Sequence, residues 1–425
     1  MFQLKNFFTM VKNESLTNRM IMLILLSYPA LVLIVKGSMG VLFGLLLIIS
    51  TVQLYRMRKS PSISHWDGYS IAFALAMASP VVAIFLSQAY HGNFRSPPYD
   101  WASRFLLCIP IFLALRHTNI RMITILQFGI PLGLLAGLTK LQLDPFIWVD
   151  FISRSTPYQG FNLIHFSATV LMFGFLSLFS INWERKDYGV VLTLKLCGFL
   201  AGFYMSLQAG ERGSWIAIPP LLLLWVAAHN REKLWLKLGI TILTIVSTIW
   251  VSYFLTDIVH DRVNSAFNEL NNFAATKTDT SIGIRLQLWQ AALHLFIEHP
   301  FFGVGPNGFE HAIPALTADG MLTPYASKLG YSEVHNEILA KCANTGLFGL
   351  LSILSIYLVP LFIFWRSTKS VESGIRVAGF MGICLVSGFF IFGLTAEIFN
   401  LKMTAAFFSF TLAVLMAAAT NKSTR

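Results

Sequence analysis

Charge is scarce in this chain, and so is cysteine. Only 12% of the 425 residues are Asp, Glu, Lys or Arg, against roughly 25% in a soluble globular domain. Acidic residues are the scarcer sign, 20 against 31 Lys and Arg, leaving a formal net charge of +11. In a soluble protein that excess would suggest nucleic acid as a partner. Here many of the cations flank apolar runs and form no basic stripe interleaved with aromatics, so no nucleic-acid partner is expected. The four cysteines, Cys108, Cys197, Cys342 and Cys384, have no CxxC spacing. That argues against a disulfide framework and a thiolate metal site. There is no P-loop, Rossmann glycine pattern, GxSxG or HExxH. Their absence counts against nucleotide-driven chemistry, serine hydrolysis and a zinc-dependent reaction. No internal repeat or low-complexity segment occurs.

Apolar residues are abundant: 55% of the chain is hydrophobic and 14% aromatic. The mean hydropathy is +0.65. Such a chain belongs in lipid, where only helices and closed barrels satisfy their own backbone. The apolar runs are continuous and not alternating, which selects helices. The expected fold is therefore an all-α polytopic membrane protein. Runs long enough to span lie near 20–35, 37–55, 68–89, 102–116, 122–139, 162–182, 188–208, 214–229, 235–256, 346–365, 377–396 and 403–420, about twelve in all. No small-residue cleavage site follows the first run, so it is read as a retained helix. The stretch Phe2–Asn13 is amphipathic and could lie along the inner leaflet.

Basic residues orient this layout. With both termini in the cytoplasm, every inside loop carries at least two, such as Arg56 and Arg58, Arg116 and Arg121, and Arg366 and Lys369. The outside connections are poorer in basic residues, as the positive-inside rule requires. One outside stretch is far longer than the rest. The chain therefore divides into spans one to nine over 1–256, an external loop over 257–345, and spans ten to twelve over 346–425. Long loops of this kind tend to be functional. Helical spacing is visible at Arg285–Ile297 and Glu333–Ala343, with a Pro/Gly-punctuated turn at His299–Gly308 between them.

Three constellations on this outer side could carry chemistry. In Gly210-Glu211-Arg212-Gly213-Ser214-Trp215, two glycines allow a sharp turn that presents Arg212. The bland reading is an arginine snorkelling to headgroups. Arg285 opens a loop helix over Ile284–Ile297, where the macrodipole disfavours a cation and so suggests a bound anion. The bland reading is a solvated arginine. His335, in Glu333-Val334-His335-Asn336-Glu337, suits a general base. Asn336 beside it could bind a hydroxyl. Otherwise it is a surface histidine. Glu211 and Glu337 could orient Arg212 and His335. Arg95, Arg154 and Glu397 have no role that the sequence defines. His299, His311, Glu298 and Glu310 are close in sequence but lack metal-ligand spacing, so no metal site is expected.

Taken together, GERGSW, the loop helix with Arg285 and Trp289, HPFFGVGPNGF and HNEILAKCANTGLFGL occur in order between and before spans. This combination resembles the O-antigen ligase family, which shares a domain with O-antigen polymerases and O-linked oligosaccharyltransferases. The resemblance implies a fold related to the C-type glycosyltransferases, embedded in the bacterial inner membrane. It implies transfer of a polysaccharide from undecaprenyl pyrophosphate to a sugar hydroxyl of lipid A–core on the periplasmic face. It implies an inverting reaction without metal, cofactor or nucleotide. Arg212 and Arg285 would bind the pyrophosphate and His335 would act as base. The partners implied are the lipid-linked O-antigen, lipid A–core and membrane lipids. The alternatives are an O-antigen polymerase, a protein O-oligosaccharyltransferase, or a lipid-linked glycan transporter. The missing internal repeat counts against the transporter.

Overall fold

The computed structural model describes residues 15–58, 66–143, 163–229, 239, 264, 279–330 and 333–422. The described residues form sixteen helices and no strand. The amphipathic N-terminal stretch, the span at 235–256, Arg154 and the first part of the external loop lie outside them. The outer helices are α1 (Leu16–Ile34), α2 (Ser38–Met57), α3 (Gly68–His91), α4 (Tyr99–Leu115), a single turn α5 (Ile120–Ile123) and α6 (Leu126–Leu143). Then follow α7 (Leu163–Phe179), α8 (Gly189–Ala209), the single turn α9 (Arg212–Trp215) and α10 (Ile218–His229). The loop region gives α11 (Ser281–Glu298), α12 (Gly308–Ala318) and α13 (Pro324–Leu329). The chain closes with α14 (Glu337–Ser367), α15 (Ser373–Gly393) and α16 (Lys402–Ala419).

Eight of these are long and apolar enough to cross a membrane, fewer than the twelve spans read from the sequence. The runs at 102–116 and 162–182 are the 17-residue helices α4 and α7. The run at 214–229 is broken after Trp215, so it becomes α9 and α10 with Pro219 and Pro220 in the first turn of α10. The sequence count includes these shorter apolar helices, and the run at 235–256 lies outside the described residues.

Burial follows composition. Every residue of α7 from His165 onward is buried, and so is α16 from Thr404. A helix that is apolar all round belongs at the centre of a bundle. Around this centre, α8 approaches α7 so closely that a Cβ on Gly202 would stand 2.5 Å from the Val170 carbonyl. Small residues permit such contacts in lipid, where packing replaces the hydrophobic drive. At one end of the bundle, Arg116 is 2% exposed and forks onto Asp67, Nη1 and Nη2 each 2.7 Å from a carboxylate oxygen. Its Nε donates to the Thr420 carbonyl at 2.8 Å. This ties the start of α3, the end of α4 and the end of α16 together.

The loop helices bury a second cluster of their own, with Leu288, Ala292, Phe309, Ile313 and Val334. They dock on the bundle where α14 breaks. Gly346 has φ 65° and ψ −147°, a conformation essentially reserved for glycine. Around the break, Leu347 N–H donates to the Pro300 carbonyl at 2.7 Å and Val304 N–H donates to the Ala343 carbonyl at 2.9 Å. A Cβ at Gly346 would stand 2.4 Å from Phe301 C. Gly346→Ala should therefore cost about 2–4 kcal/mol, combining backbone strain with overpacking. The thermal midpoint of the detergent-solubilised protein would fall clearly. An unchanged midpoint would mean that the 299–307 turn is not locked against α14.

Candidate functional site

The site is built around one connection, residues 394–401 between α15 and α16. Phe399 anchors it: the ring is fully buried, 5.0 Å from Phe408 and 5.1 Å from Phe105. Three hydrogen bonds then fasten the segment before α14 to this loop. Val334 N–H donates to Glu397 Oε1 at 2.6 Å. Asn336 Nδ2 donates to the Leu394 carbonyl at 3.3 Å. Phe399 N–H donates to Glu337 Oε2 at 2.9 Å.

His335 sits inside this fastening, with a left-handed backbone at φ 56°. The sequence reading placed a helix over Glu333–Ala343, but α14 begins only at Glu337. Asn336 is its N-cap, with Oδ1 accepting from Ile338 and Leu339 N–H at 3.0 and 3.1 Å. Such a cap ends the helix behind it and leaves His335 free to turn. The helix then runs past 346, where the tenth span was expected to start, to Ser367. His335 Nδ1 stands 3.4 Å from Glu333 Oε2 but is not aligned as a hydrogen bond. Burial, with a smaller push from the Arg285 charge, lowers the imidazole pKa to about 4. The ring is therefore neutral at physiological pH.

Arg285 is displaced from its expected position. Thr280 caps α11 by accepting from Gly283 N–H at 3.1 Å, so Arg285 lies in the second turn. The macrodipole fades beyond the first turn, and the anion argument built on it falls. Arg285 nevertheless reaches His335 electrostatically. One turn later, Trp289 Nε1 donates to the His335 carbonyl at 3.4 Å.

Arg212 arrives at the same loop through the turn after α8. Gly210 ends α8 with φ 69°, and Glu211 precedes Arg212 at the start of α9. Gly213 packs so closely that a Cβ there would stand 2.6 Å from Thr395 Oγ1. Thr395 is the neighbour of Leu394, which holds Asn336. The loop thus brings the Arg212 turn and the His335 segment together, and α11 adds Arg285.

Glu337 is fully buried and pairs with Lys341 Nζ at 2.9 Å. Glu397 is the residue the sequence left without a role. Burial raises its pKa to about 8, helped by Glu337 and Glu333 and opposed by Lys341. Lys341 itself was overlooked, although its spacing of four from Glu337 was a readable signal. A cavity of about 350 Å³ opens beside this group, between α3, α4 and α14. Glu397 and Lys341 line it, whereas Arg212, Arg285 and His335 do not. Arg95 faces a smaller hollow of about 250 Å³ with His91 and His311. Among the described residues, no three His, Cys, Asp or Glu side chains are placed to hold a metal ion.

Residues 197–354 match the family described as O-Antigen ligase. This stretch of the chain is similar to that family. The matched stretch runs from α8 to the middle of α14 and includes Arg212, Arg285 and His335. A protein of Escherichia coli K12 described as an O-antigen ligase is 24% identical over 218 residues, which is 51% of this chain and 51% of that protein. A Haemophilus influenzae protein described as uncharacterized is 24% identical over 400 residues, 90% of this chain and 94% of that one. This similarity and the eight helices long and apolar enough to span a bilayer point together to a multi-pass membrane protein.

The raised pKa of Glu397 gives a pH test. A carboxyl raised from its ordinary value of about 4.5 to about 8 binds its proton more tightly when folded. It therefore adds stability at low pH that fades as pH rises through about 8. Glu397→Gln keeps an acceptor for Val334 N–H and removes the proton. Its thermal midpoint should depend less on pH between 5 and 9 than that of the native protein. Parallel curves would show that Glu397 does not titrate in this window.

Proposed function

We propose that this protein transfers a polysaccharide from undecaprenyl pyrophosphate to a sugar hydroxyl of lipid A–core. The reaction would take place on the periplasmic face of the bacterial inner membrane, with both termini cytoplasmic. The observation that carries this reading is the convergence of the Arg212 turn and the His335 segment on loop 394–401, with the Arg285 charge acting on the imidazole.

The acceptor oxygen attacks the anomeric carbon from the face opposite the pyrophosphate. A new glycosidic C–O bond forms, and the C–O bond to pyrophosphate breaks. The electron pair goes to the pyrophosphate oxygen and the acceptor proton to His335. Arginine suits the leaving group because its planar fork stays charged and binds phosphate through two donors. A charge aimed at the developing oxyanion is typically worth about 10²–10³ in rate. One displacement needs no enzyme nucleophile, so no glycosidase-type carboxylate pair is required. A neutral imidazole is in the correct protonation state for a base. The E. coli relative described as a ligase favours lipid A–core over a lipid-linked repeat or a protein as acceptor.

The test is transfer in vitro with purified protein, lipid-linked glycan and lipid A–core, with EDTA and without nucleotide. A ladder of glycosylated lipid A–core is expected, reduced at least ~100-fold in Arg212→Ala, Arg285→Ala and His335→Ala. Elongation of the lipid-linked glycan instead would reassign the protein as a polymerase. Full activity in His335→Gln would remove the base role.

The pH profile provides a separate check. The low imidazole pKa keeps the base unprotonated as pH falls, so the acid limb of kcat should lie near 4 and not near the ordinary 6.5. A limb at 6 to 7 would place His335 in a more solvated setting than this one.

A further inference from the structure

The cavity beside Glu397 belongs to none of the three proposed reacting groups, yet it touches the supports of one of them. At about 350 Å³ it lies in the size range of small-molecule sites, roughly 300–1,000 Å³. Its floor is apolar, with Ala83 and Ile84 from α3 and Ile353 and Ile356 from α14. Its rim is polar. Asp100 and Lys402 are exposed there, with the side-chain amides of Asn344 and Asn400. Trp101 stands in the wall, with the Lys341 ammonium 4.2 Å from its ring centre.

The geometry points to this cavity as the site of the acceptor: an acidic, phosphate- or carboxylate-bearing saccharide carried on a lipid. The assignment rests on the glycosyl-transfer reading above. A sugar has an apolar C–H face and a rim of hydroxyls. An indole beside an apolar floor suits the first, and amides and carboxylates suit the second. Lys402 supplies an exposed ammonium group, which binds an anion as a point charge, while Lys341 neutralises Glu337 and keeps donors at the cavity wall. Lys341 is held at 2.9 Å by Glu337 and so is fixed in place before any ligand arrives. Its side chain is only 13% exposed, which limits screening by water.

The position also fits. Glu397 lines the cavity and accepts from Val334, the residue before His335. Asn400 lines it too and hydrogen-bonds the Glu333 carboxylate, which faces the imidazole. A saccharide seated there lies against both supports of the proposed base. Arg212 reaches the same loop through the close approach of Gly213 to Thr395 and does not line the cavity.

An acidic sugar could also come from the donor glycan, so both lipids serve as probes. Binding of lipid A–core and of undecaprenyl-pyrophosphate glycan would be measured separately on the full-length protein in nanodiscs. The variants are Trp101→Ala, Lys402→Glu and the cavity-filling Ala83→Phe, with Trp101→Phe as the conservative control. Lys402 is exposed, so its variant should fold normally. The expected result is a tenfold or greater rise in Kd for lipid A–core, an unchanged Kd for the donor lipid, and recovery in Trp101→Phe. In turnover, the acceptor KM should rise in Lys402→Glu while kcat at saturation stays near native. Unchanged lipid A–core binding in all three variants, a rise confined to the donor lipid, or no lipid A–core binding by the native protein would each overturn the assignment. Native transfer with unaffected variants would sink the cavity alone. Lipid A–core binding weakened by the variants in a protein that transfers nothing would sink the transfer reading and the acceptor role, and leave the cavity only as a glycolipid-binding site.

Discussion

The hydrogen-bonded seam between residues 333–337 and loop 394–401 is the constraint on which the site depends. Its strength comes from burial. Glu337 is fully buried, and a carboxylate taken out of water needs both a cation and hydrogen bonds to remain there. Lys341 supplies the cation and Phe399 N–H supplies a hydrogen bond. Phe399 can donate because its ring is locked into the aromatic cluster of α15 and α16, 5.9 Å from Phe389 and 5.0 Å from Phe408. The same loop then offers Leu394 to Asn336 and Glu397 to Val334. His335 is left with little choice of conformation. Its left-handed φ of 56° is stabilised by everything on either side of it.

The break in α14 solves a related problem. Backbone that leaves the helical pattern at a membrane boundary must find partners within the protein. Here the turn 299–307 provides them through Pro300 and Val304. The glycine that makes the break also allows the turn to approach at van der Waals distance. One residue therefore accounts for two features that look independent in the sequence: a kinked helix and an anchored turn. Through Val304 and Asn344, which accepts from Phe309 N–H at 3.0 Å, α12 is tied to the same helix.

Much of this was legible in the sequence, and the limits have physical causes. Continuous apolar runs identified the helices because bilayer length and backbone satisfaction leave few alternatives. The run at 214–229 is apolar and helical as expected, but the turn after Trp215 was not legible, because hydropathy is blind to a turn that keeps its apolar side chains. Arg212 and His335 stood out because short local patterns carry them: glycines around a charged pair, and a histidine next to a capping asparagine. The start of α11 was misplaced because Thr280 and Gly283 form an ordinary cap that apolar spacing does not mark. Glu397 was not assigned a role, and Trp101 was not noticed at all. Each acts across more than sixty residues of sequence, on Val334 and on Lys341 respectively, and no local pattern encodes such a pairing.

Catalysis by displacement sets two opposed demands. The donor side must stabilise charge that leaves, and the acceptor side must remove a proton without admitting water as a competing nucleophile. On the proposed reading His335 is the base, and with a pKa near 4 it is a weak one that would discriminate by position more than by strength. Its reach is fixed by Val334 and Asn336 behind it and by Glu333 at its Nδ1 edge. The residues that hold Val334 and Glu333, Glu397 and Asn400, are also cavity walls. A saccharide in the cavity would therefore press on the groups that aim the imidazole, whereas a water molecule there would not. Tying the aim of a weak base to occupancy of the neighbouring cavity would favour transfer over hydrolysis without any moving lid.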